Sequence, residues 1–572
     1  MSVRLGFVLF PILLIVAACE QILEPSPEAR EVPTYRVVGG PLEAPDALAL
    51  LAALGVPVQS FSPETYLNED GSVFFLDEER FQYLPMIETD PEGSADEEDG
   101  PFTTFSFDEK AILTIPVPPR DDGAIADVQA ALKEAGFHPL DLMAPNTAEV
   151  VAVAGHSRFE MLEDDQVTTR LALDLDTHVD FQIRLAADVG FLDLVGPGAS
   201  VKVVLVADGP TLVHHEFWHL EPDAMVAVIG QDEALDACRS LYRSDAAPQG
   251  SAVTQHFHID VSADLVYYAP PFEVATSTIY PYYECSGTML LDGGKDGSEL
   301  VTLRPTMVAA ASEAPAIFSP PETSPVRPND TAFTSEPLAF GVHDAGTQWV
   351  GTTQGLPGSS KNAGRFFDVF DAVANVDARF NWGDLNAWER DFRDPAFGGS
   401  DTQWIDNVDV AFYTGHANGN GFTFSSAVDD GFLAFDEARW GNHDLEWLVI
   451  AACGPLQLTT NGLSWAQRWG PAFDGLHLLM AYANDSRDNE REGRIFARAI
   501  LGEGESPKRV RTAWVKAATT VQPSSVTFAV MGVATSNGVS NWNDYFWGRG
   551  TGGGPDIRGS DIRYYWRLSG PS

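Results

Sequence analysis

A chain of 572 residues is long enough for about three or four domains of ordinary size. Apolar residues make up 44% and aromatic residues 11% of it, so the composition excludes a wholly disordered protein. The 82 acidic residues outnumber the 35 lysines and arginines, and the net charge of −47 excludes nucleic acid as a partner along most of the surface.

The N-terminus has the pattern of a secretory signal. Arg4 precedes an apolar run, Leu5 to Val16, that is shorter than the ~20 residues needed to span a bilayer. The run closes on Val16-Ala17-Ala18-Cys19, which resembles the lipobox of bacterial lipoproteins. An ordinary signal with an incidental cysteine is the alternative.

The lipobox resemblance implies a signal peptide over 1–18, acylation of Cys19 and a lipid anchor to the membrane. Position 20, where an aspartate is linked to retention of a lipoprotein in the inner membrane, is occupied by Glu20. We therefore expect an exported protein at the outer membrane or cell surface. Residues 19–34, with Pro25 and Pro27 among acidic residues, are typical of a tether.

Residues 35–305 predict an α+β region, open to division into 35–147 and 148–305. Strand-like alternation dominates from Ala148 to Tyr283, and Gln231–Tyr242 has the spacing of a helix. A proline-rich segment, 306–336, predicts a linker between two regions.

Residues 337–572 alternate between apolar strands and helices, which predicts an α/β domain with a mostly parallel sheet flanked by helices. The strands are expected at Val408–Thr414, Leu445–Ala452 and Leu476–Ala483. The expected fold is therefore an α+β N-terminal region followed by this α/β domain.

The cysteines allow one disulfide. If Cys19 carries lipid, Cys238 and Cys285 can pair in an exported protein, which leaves Cys453 alone. A lone thiol in an exported chain is either reactive or a small buried packing residue.

The clearest metal-site motif is the HExxH of His215-Glu216-Phe217-Trp218-His219. In zinc proteases this motif lies on a helix, where both histidines face the ion. Here it follows an Asp-Gly-Pro turn, and the alternation predicts a strand, on which the histidines would lie ~13 Å apart. We therefore predict no metal and no cofactor, and a zinc hydrolase using His215 and His219 is a weak alternative.

Two predicted strands run directly into reactive side chains, one into Gly415-His416 and the other into Cys453-Gly454. The carboxyl ends of neighbouring parallel strands lie ~4.8 Å apart, so an imidazole and a thiol there come within reach of each other. The imidazole would generate or steady the thiolate, which is the attacking species.

Main-chain groups beside these side chains complete the predicted site. The amides of Cys453 and of Ala417 or its neighbours would bind a developing oxyanion. Gly415 and Gly454 would let the main chain approach a substrate closely.

The order of these motifs resembles the caspase, gingipain and legumain superfamily of cysteine peptidases. In that superfamily a strand ending in His-Gly precedes a strand ending in a small residue and Cys. The resemblance covers about 337–572, and the segment Trp382-Gly-Asp-Leu-Asn-Ala-Trp-Glu-Arg-Asp-Phe resembles an uncharacterised bacterial family with such a domain.

The resemblance implies a caspase-like domain in which Cys453 is the nucleophile and His416 the base-like residue. The implied partner is a peptide or protein substrate. Ala417 departs from the glycine that usually follows the histidine. The first alternative is a non-catalytic binding module of the cell envelope, in which Cys453 only fills space.

Overall fold

The computed structural model describes residues 30–58, 62–89, 104–163, 169–188, 190–243, 258–292, 298–325, 327, 343–426 and 428–572. The predicted signal, the acylation site Cys19, most of the tether and residues 326 and 328–336 of the linker lie outside these ranges, so export and lipid anchoring stay predictions. Within these ranges, no helix has both the length and the apolar character needed to cross a membrane.

The N-terminal region is built mainly from long antiparallel strands. Its strands are β1 Arg30–Gly39, β2 Val73–Leu76, β3 Met86–Thr89, β4 Thr104–Phe107, β5 Ala148–Glu163, β6 Thr169–Ala187, β7 Gly190–Val195, β8 Ala199–Val206, β9 Gly209–Phe217, β10 His219–Val228, β11 His258–Tyr268, β12 Thr278–Ile279, β13 Pro281–Asp292 and β14 Ser298–Ala309. Its helices are α1 Ala44–Ala53, α2 Glu109–Ile112, α3 Asp121–Ala135 and α4 Gln231–Tyr242.

The C-terminal region mixes shorter strands with helices and 3₁₀ turns. Its strands are β15 His343–Trp349, β16 Val376–Gly383, β17 Val410–Thr414, β18 Ala417–Asn418, β19 Gly421–Thr423, β20 Phe432–Ala434, β21 Trp447–Ala451, β22 Thr459–Thr460, β23 Leu463–Ser464, β24 Leu478–Tyr482, β25 Thr527–Thr535 and β26 Ile562–Pro571. Its helices are α5 Ser359–Asp371, α6 Trp465–Trp469, α7 Glu492–Leu501 and α8 Val510–Val521.

The predicted fold class, an α+β region followed by a caspase-like domain with a mostly parallel sheet, is wrong. Strands make up 40% and helices 24% of the structure. Nineteen of the described strands join one mixed sheet. Parallel ladders join β16, β15, β17, β21 and β24 in that spatial order, but antiparallel β25 and β26 continue the sheet into β5.

One hydrogen-bonded sheet therefore extends through both regions. β26 pairs with β25 on one side and with β5 of the N-terminal region on the other. β14 reaches the C-terminal region as well, where Thr302 pairs with Ala417 of β18. Because β14 continues to Ala309, the first residues of the predicted linker at 306–336 belong to this strand.

β17, β21 and β24 are buried on both faces, which explains their continuous apolar sequences. Phe412 and Val449 face a core that contains Phe366 of α5, whereas Tyr413 and Ile450 face the core on the opposite side of the sheet. Polar chemistry is consequently available at the ends of these three strands and not along them.

Candidate functional site at the carboxyl ends of the parallel strands

The structure brings His416 and Cys453 to the same edge of the sheet. β17 and β21 are parallel neighbours, and Thr414 is in register with Ala451. His416 and Cys453 each follow two residues after this pair. Both side chains are buried, with 0% and 1% of their surface exposed.

Both ring nitrogens of His416 are engaged. Nε2 donates to the carbonyl of Gln354 at 2.9 Å, and Nδ1 accepts the main-chain N–H of Arg304, also at 2.9 Å. Burial lowers the pKa of His416 to about 4, with the hydrogen bond to Gln354 opposing the shift and the nearby Arg304 charge adding to it. The imidazole is therefore neutral at pH 7, with its proton on Nε2.

The thiol of Cys453 is held by the loop after β24. It donates to the carbonyl of Ser486 at 3.6 Å and accepts the Ser486 N–H at 3.2 Å. Burial raises the pKa of Cys453 to about 12, and Asp485 adds to the shift. In the described part of the chain no hydrogen bond joins this thiol to His416.

Arg304 of β14 contacts the surroundings of both residues. Besides its N–H on His416, its Nε donates to the Ser486 carbonyl at 3.3 Å, the oxygen that also accepts the Cys453 thiol. Its Nη1 donates to Thr414 Oγ1 and its Nη2 to Glu492 Oε2, both at 2.8 Å. A side chain of the N-terminal region thus fills this edge of the sheet.

Glu492, at the start of α7, is the buried partner of Arg304. Its carboxylate also accepts the Tyr482 hydroxyl at 2.6 Å, the Gln522 amide at 2.6 Å and the Asn362 amide at 3.0 Å. Burial raises the pKa of Glu492, but the Arg304 charge and these hydrogen bonds outweigh it, so the net pKa is lowered. The buried carboxylate is therefore ionised.

Tyr242, the last residue of α4, covers the same edge. Its ring centre lies 6.0 Å from that of His416, and its hydroxyl donates to the carbonyls of Cys285 and Arg304 at 2.9 and 3.0 Å. A disulfide joins Cys238 of α4 to Cys285 of β13, the pairing expected from the sequence, with the Cα atoms 5.5 Å apart. The disulfide fixes the helix that carries Tyr242.

The main-chain groups predicted to form an oxyanion site have structural roles here. Ala417 is paired with Thr302 on one side and Phe422 on the other. A Cβ at Gly415 would lie 2.1 Å from the Tyr413 hydroxyl, so this glycine makes room for a core residue. Gly454 has φ +76°, a turn conformation that favours glycine.

The HExxH motif lies on strands, as its alternation predicted. His215 is in β9 and His219 begins β10. Neither ring nitrogen of His215 has a hydrogen-bond partner among the residues that the structure describes, and burial lowers its pKa to about 3. Among the described residues, no three His, Cys, Asp or Glu side chains gather in a way that could hold a metal ion.

A cavity of about 650 Å³ lies between the two regions and ends beside this site. Its wall includes Pro305 and Asp488, which are joined by a hydrogen bond from the Asp488 N–H to the Pro305 carbonyl at 2.8 Å. Tyr268, Tyr282 and Phe318 give it an aromatic lining. Clefts between domains are common places for ligands.

Sequence-based reasoning did not identify Arg304, Glu492 or Tyr242. Arg304 stands beside Pro305, directly before the segment 306–336 whose prolines predict a linker. The alternation of Val301, Thr302 and Leu303 predicts an outward-facing side chain at the next position, yet Arg304 is buried. Nothing near Arg304 in sequence indicated a partner 188 residues away.

Comparison with known proteins gives a family match for part of the chain. Residues 346–570 match a family described as a domain of unknown function, DUF6345. His416, Cys453 and Glu492 lie inside this match, and Arg304 and Tyr242 lie outside it. No curated protein matches the chain.

One solved structure similar to part of the chain is an uncharacterised protein from Eubacterium rectale. It is 9% identical, with 50% of this chain and 84% of that chain covered and a TM-score of 0.20. At that score the likeness carries no argument about fold or function. The resemblance to caspase-like peptidases thus stays a prediction from the motifs.

Proposed function

We propose that this chain is a cysteine hydrolase of peptide bonds in a closed, latent state, with Cys453 as nucleophile and His416 as proton carrier. One observation carries the proposal: the unprotonated nitrogen of His416, Nδ1, accepts a peptide N–H, that of Arg304. A histidine placed on a peptide nitrogen is placed to protonate it when the peptide bond breaks. The segment of β14 around Arg304 therefore occupies the position that a substrate peptide would need.

The proposed reaction has two steps. The thiol proton passes to His416 Nδ1 while Sγ of Cys453 attacks the peptide carbonyl carbon. The C–N bond then breaks, His416 returns the proton to the departing amine, and a thioester remains. Water hydrolyses the thioester, which yields a carboxylic acid and restores the thiol.

The closed state accounts for the chemistry of the resting site. Burial raises the pKa of Cys453 to about 12 and lowers that of His416 to about 4, so both groups are neutral at pH 7. A thiolate is needed for attack. Opening the edge of the sheet to water would relax both shifts, because burial is the largest cause of each.

The test is the alkylation rate of Cys453 in the folded protein. In wild type we expect iodoacetamide to react slowly at pH 7, since almost no thiolate is present. In Arg304→Ala, where losing the three guanidinium hydrogen bonds should open this edge of the sheet, the rate should rise by ~10³–10⁴. This is the ratio of thiolate fractions expected when the thiol pKa falls from about 12 toward ~8.5. The same variant should cleave a mixed peptide library, and Arg304→Ala/Cys453→Ala should not.

Arg511→Ala is the matched control. Arg511 is another buried arginine that contacts the N-terminal region, through Gln82, but it lies in α8 and donates to Trp542 instead of to this site. Its loss should leave Cys453 unreactive. A folded, open Arg304→Ala whose thiol stays inert, or reacts without any peptide cleavage, would contradict the hydrolase.

A non-catalytic binding module is the second candidate, and the 650 Å³ cavity favours it. Its aromatic lining and its position between the two regions suit a ligand-binding cleft. Under this reading Cys453 is a packing residue. A thiol that becomes reactive in proportion to global unfolding, with no dependence on His416, would support it.

A further inference from the structure

The guanidinium of Arg304 lies in a pocket whose walls come from the other region. Its three nitrogens donate to three different acceptors: the Ser486 carbonyl, the Thr414 hydroxyl and the Glu492 carboxylate. All three acceptors belong to the C-terminal region and lie within the matched family domain. The pocket is therefore a feature of that domain, and its occupant comes from outside the domain.

The pocket is oriented by bonds that do not involve Arg304. Glu492 is fixed by Tyr482, Gln522 and Asn362. Asp488 lies nearby and accepts the Gly358 N–H at 2.7 Å. Carboxylates held in this way keep their positions when the occupant leaves, so they can receive another cation.

The main chain around Arg304 is bound as an extended peptide would be. Thr302 pairs with Ala417, the Arg304 N–H donates to His416, and the Pro305 carbonyl accepts from Asp488. Main-chain hydrogen bonds together with one anchored side chain are the pattern of peptide recognition by strand addition. Beyond Pro305 the 650 Å³ cavity offers room for the following residues.

We infer that this pocket is an arginine-binding site, and that the ligand it takes is an extended peptide with an arginine side chain seated on Glu492. The inference rests on the proposed function only in naming the substrate of that reaction; arginine binding itself requires no catalysis. Arginine is favoured over lysine because a planar guanidinium meets three divergent acceptors at once, whereas an ammonium is a compact point charge.

The experiment uses the full chain with Arg304→Ala, which empties the pocket, and N-acetyl-L-argininamide as the probe. Calorimetry should show saturable binding at least about tenfold tighter than that of N-acetyl-L-lysinamide, the factor expected from losing a hydrogen bond to a charged group. The probe should raise the Tm of Arg304→Ala and leave that of wild type unchanged, because wild type fills its own pocket.

Two further variants keep the result decisive. Arg304→Ala/Glu492→Gln should lose the preference for argininamide, and Arg511→Ala should not bind the probe. If Arg304→Ala does not fold, Arg304→Ser, whose short side chain also leaves the pocket empty, replaces it. Equal affinity of Arg304→Ala for argininamide and lysinamide would overturn the inference. So would a preference for argininamide that persists in Arg304→Ala/Glu492→Gln.

The same samples separate this inference from the proposed function. Argininamide that binds while Cys453 stays unreactive toward iodoacetamide supports the arginine site and rejects the hydrolase. A reactive Cys453 with peptide cleavage that does not depend on arginine in the substrate supports the hydrolase and rejects the arginine site.

Discussion

Two buried histidines, one in each region, show what separates a motif from a site. His215 belongs to an HExxH pattern, yet its ring packs against Phe137 with 6.2 Å between ring centres, and its nitrogens have no hydrogen-bond partner in the described part of the chain. His416 follows a strand without a comparable pattern, yet both its nitrogens are bonded and a thiol lies on the neighbouring strand end. Burial lowers the pKa of both, so burial alone does not distinguish them.

The acidic residue of the HExxH motif continues the comparison. Glu216 lies 3.5 Å from Arg491, and Arg304 lies 2.8 Å from Glu492. Two consecutive residues at the start of α7 thus bind the N-terminal region with opposite charges. Both pairs are buried, but the first has a further carboxylate within salt-bridge distance, since Glu273 lies 3.4 Å from Arg491.

The largest expected effect comes from Glu492→Gln. It leaves the buried Arg304 charge without its carboxylate, and such a loss costs about 3–5 kcal/mol of unfolding free energy. Glu216→Gln should cost less, because Arg491 keeps Glu273. Urea unfolding of both variants measures the difference, and equal losses would mean that the Arg304 pocket has no special place in the fold.

Replacing His416 or His215 by leucine should have the next largest effects on the free energy of unfolding. His416→Leu leaves the Arg304 N–H and the Gln354 carbonyl unpaired, which should cost about 2–4 kcal/mol. His215→Leu removes a buried ring that has no partner, so its effect at pH 7 should be within ~1 kcal/mol. Thermal unfolding of the two variants provides the measurement.

The lowered pKa of His215 predicts that the folded protein is destabilised by acid. The folded pKa of His215 is about 3, below its ordinary value of 6.5, so the unfolded chain binds the extra proton and stability falls as the pH drops below 6.5. At pH 5 His215→Leu should therefore unfold at higher urea concentration than wild type. An unchanged midpoint would show that the folded ring takes up the proton.

The pKa shift of His477 has the opposite sign. Burial lowers its pKa, but the ion pairs with Asp544 and Asp556 outweigh this and raise it to about 9. Its contribution to stability is complete below pH 6.5 and is lost as the pH rises through 9, by about 3 kcal/mol. His477→Gln should flatten the decline in unfolding free energy across that window.

Local structure could be predicted from the sequence to a useful degree. Gln231–Tyr242 is a helix with the predicted bounds, and β17, β21 and β24 lie within the three predicted strands. These elements carry continuous apolar runs or clear helical spacing, which depend only on neighbours in the chain. The shared sheet edge of His416 and Cys453 followed from the same information.

Long-range pairing could not be predicted in this way. The β26–β5 ladder joins Tyr564 to Glu163, and nothing in either strand specifies the other. The occupant of the site was missed for the same reason, because Arg304 becomes important only through Glu492 and His416. Short patterns reveal which element forms, and the partners of its polar groups depend on the tertiary fold.

The position of β26 has a consequence for the growing chain on the ribosome. This strand lies in the sheet between β25 and β5, yet it is made about 400 residues after β5. At ~5–20 residues per second, β5 waits roughly 20–80 s for this neighbour. During that interval the edge of β5 that later pairs with β26 is open to pairing with other chains. The net charge of −47 opposes such association, because the acidic chains repel each other.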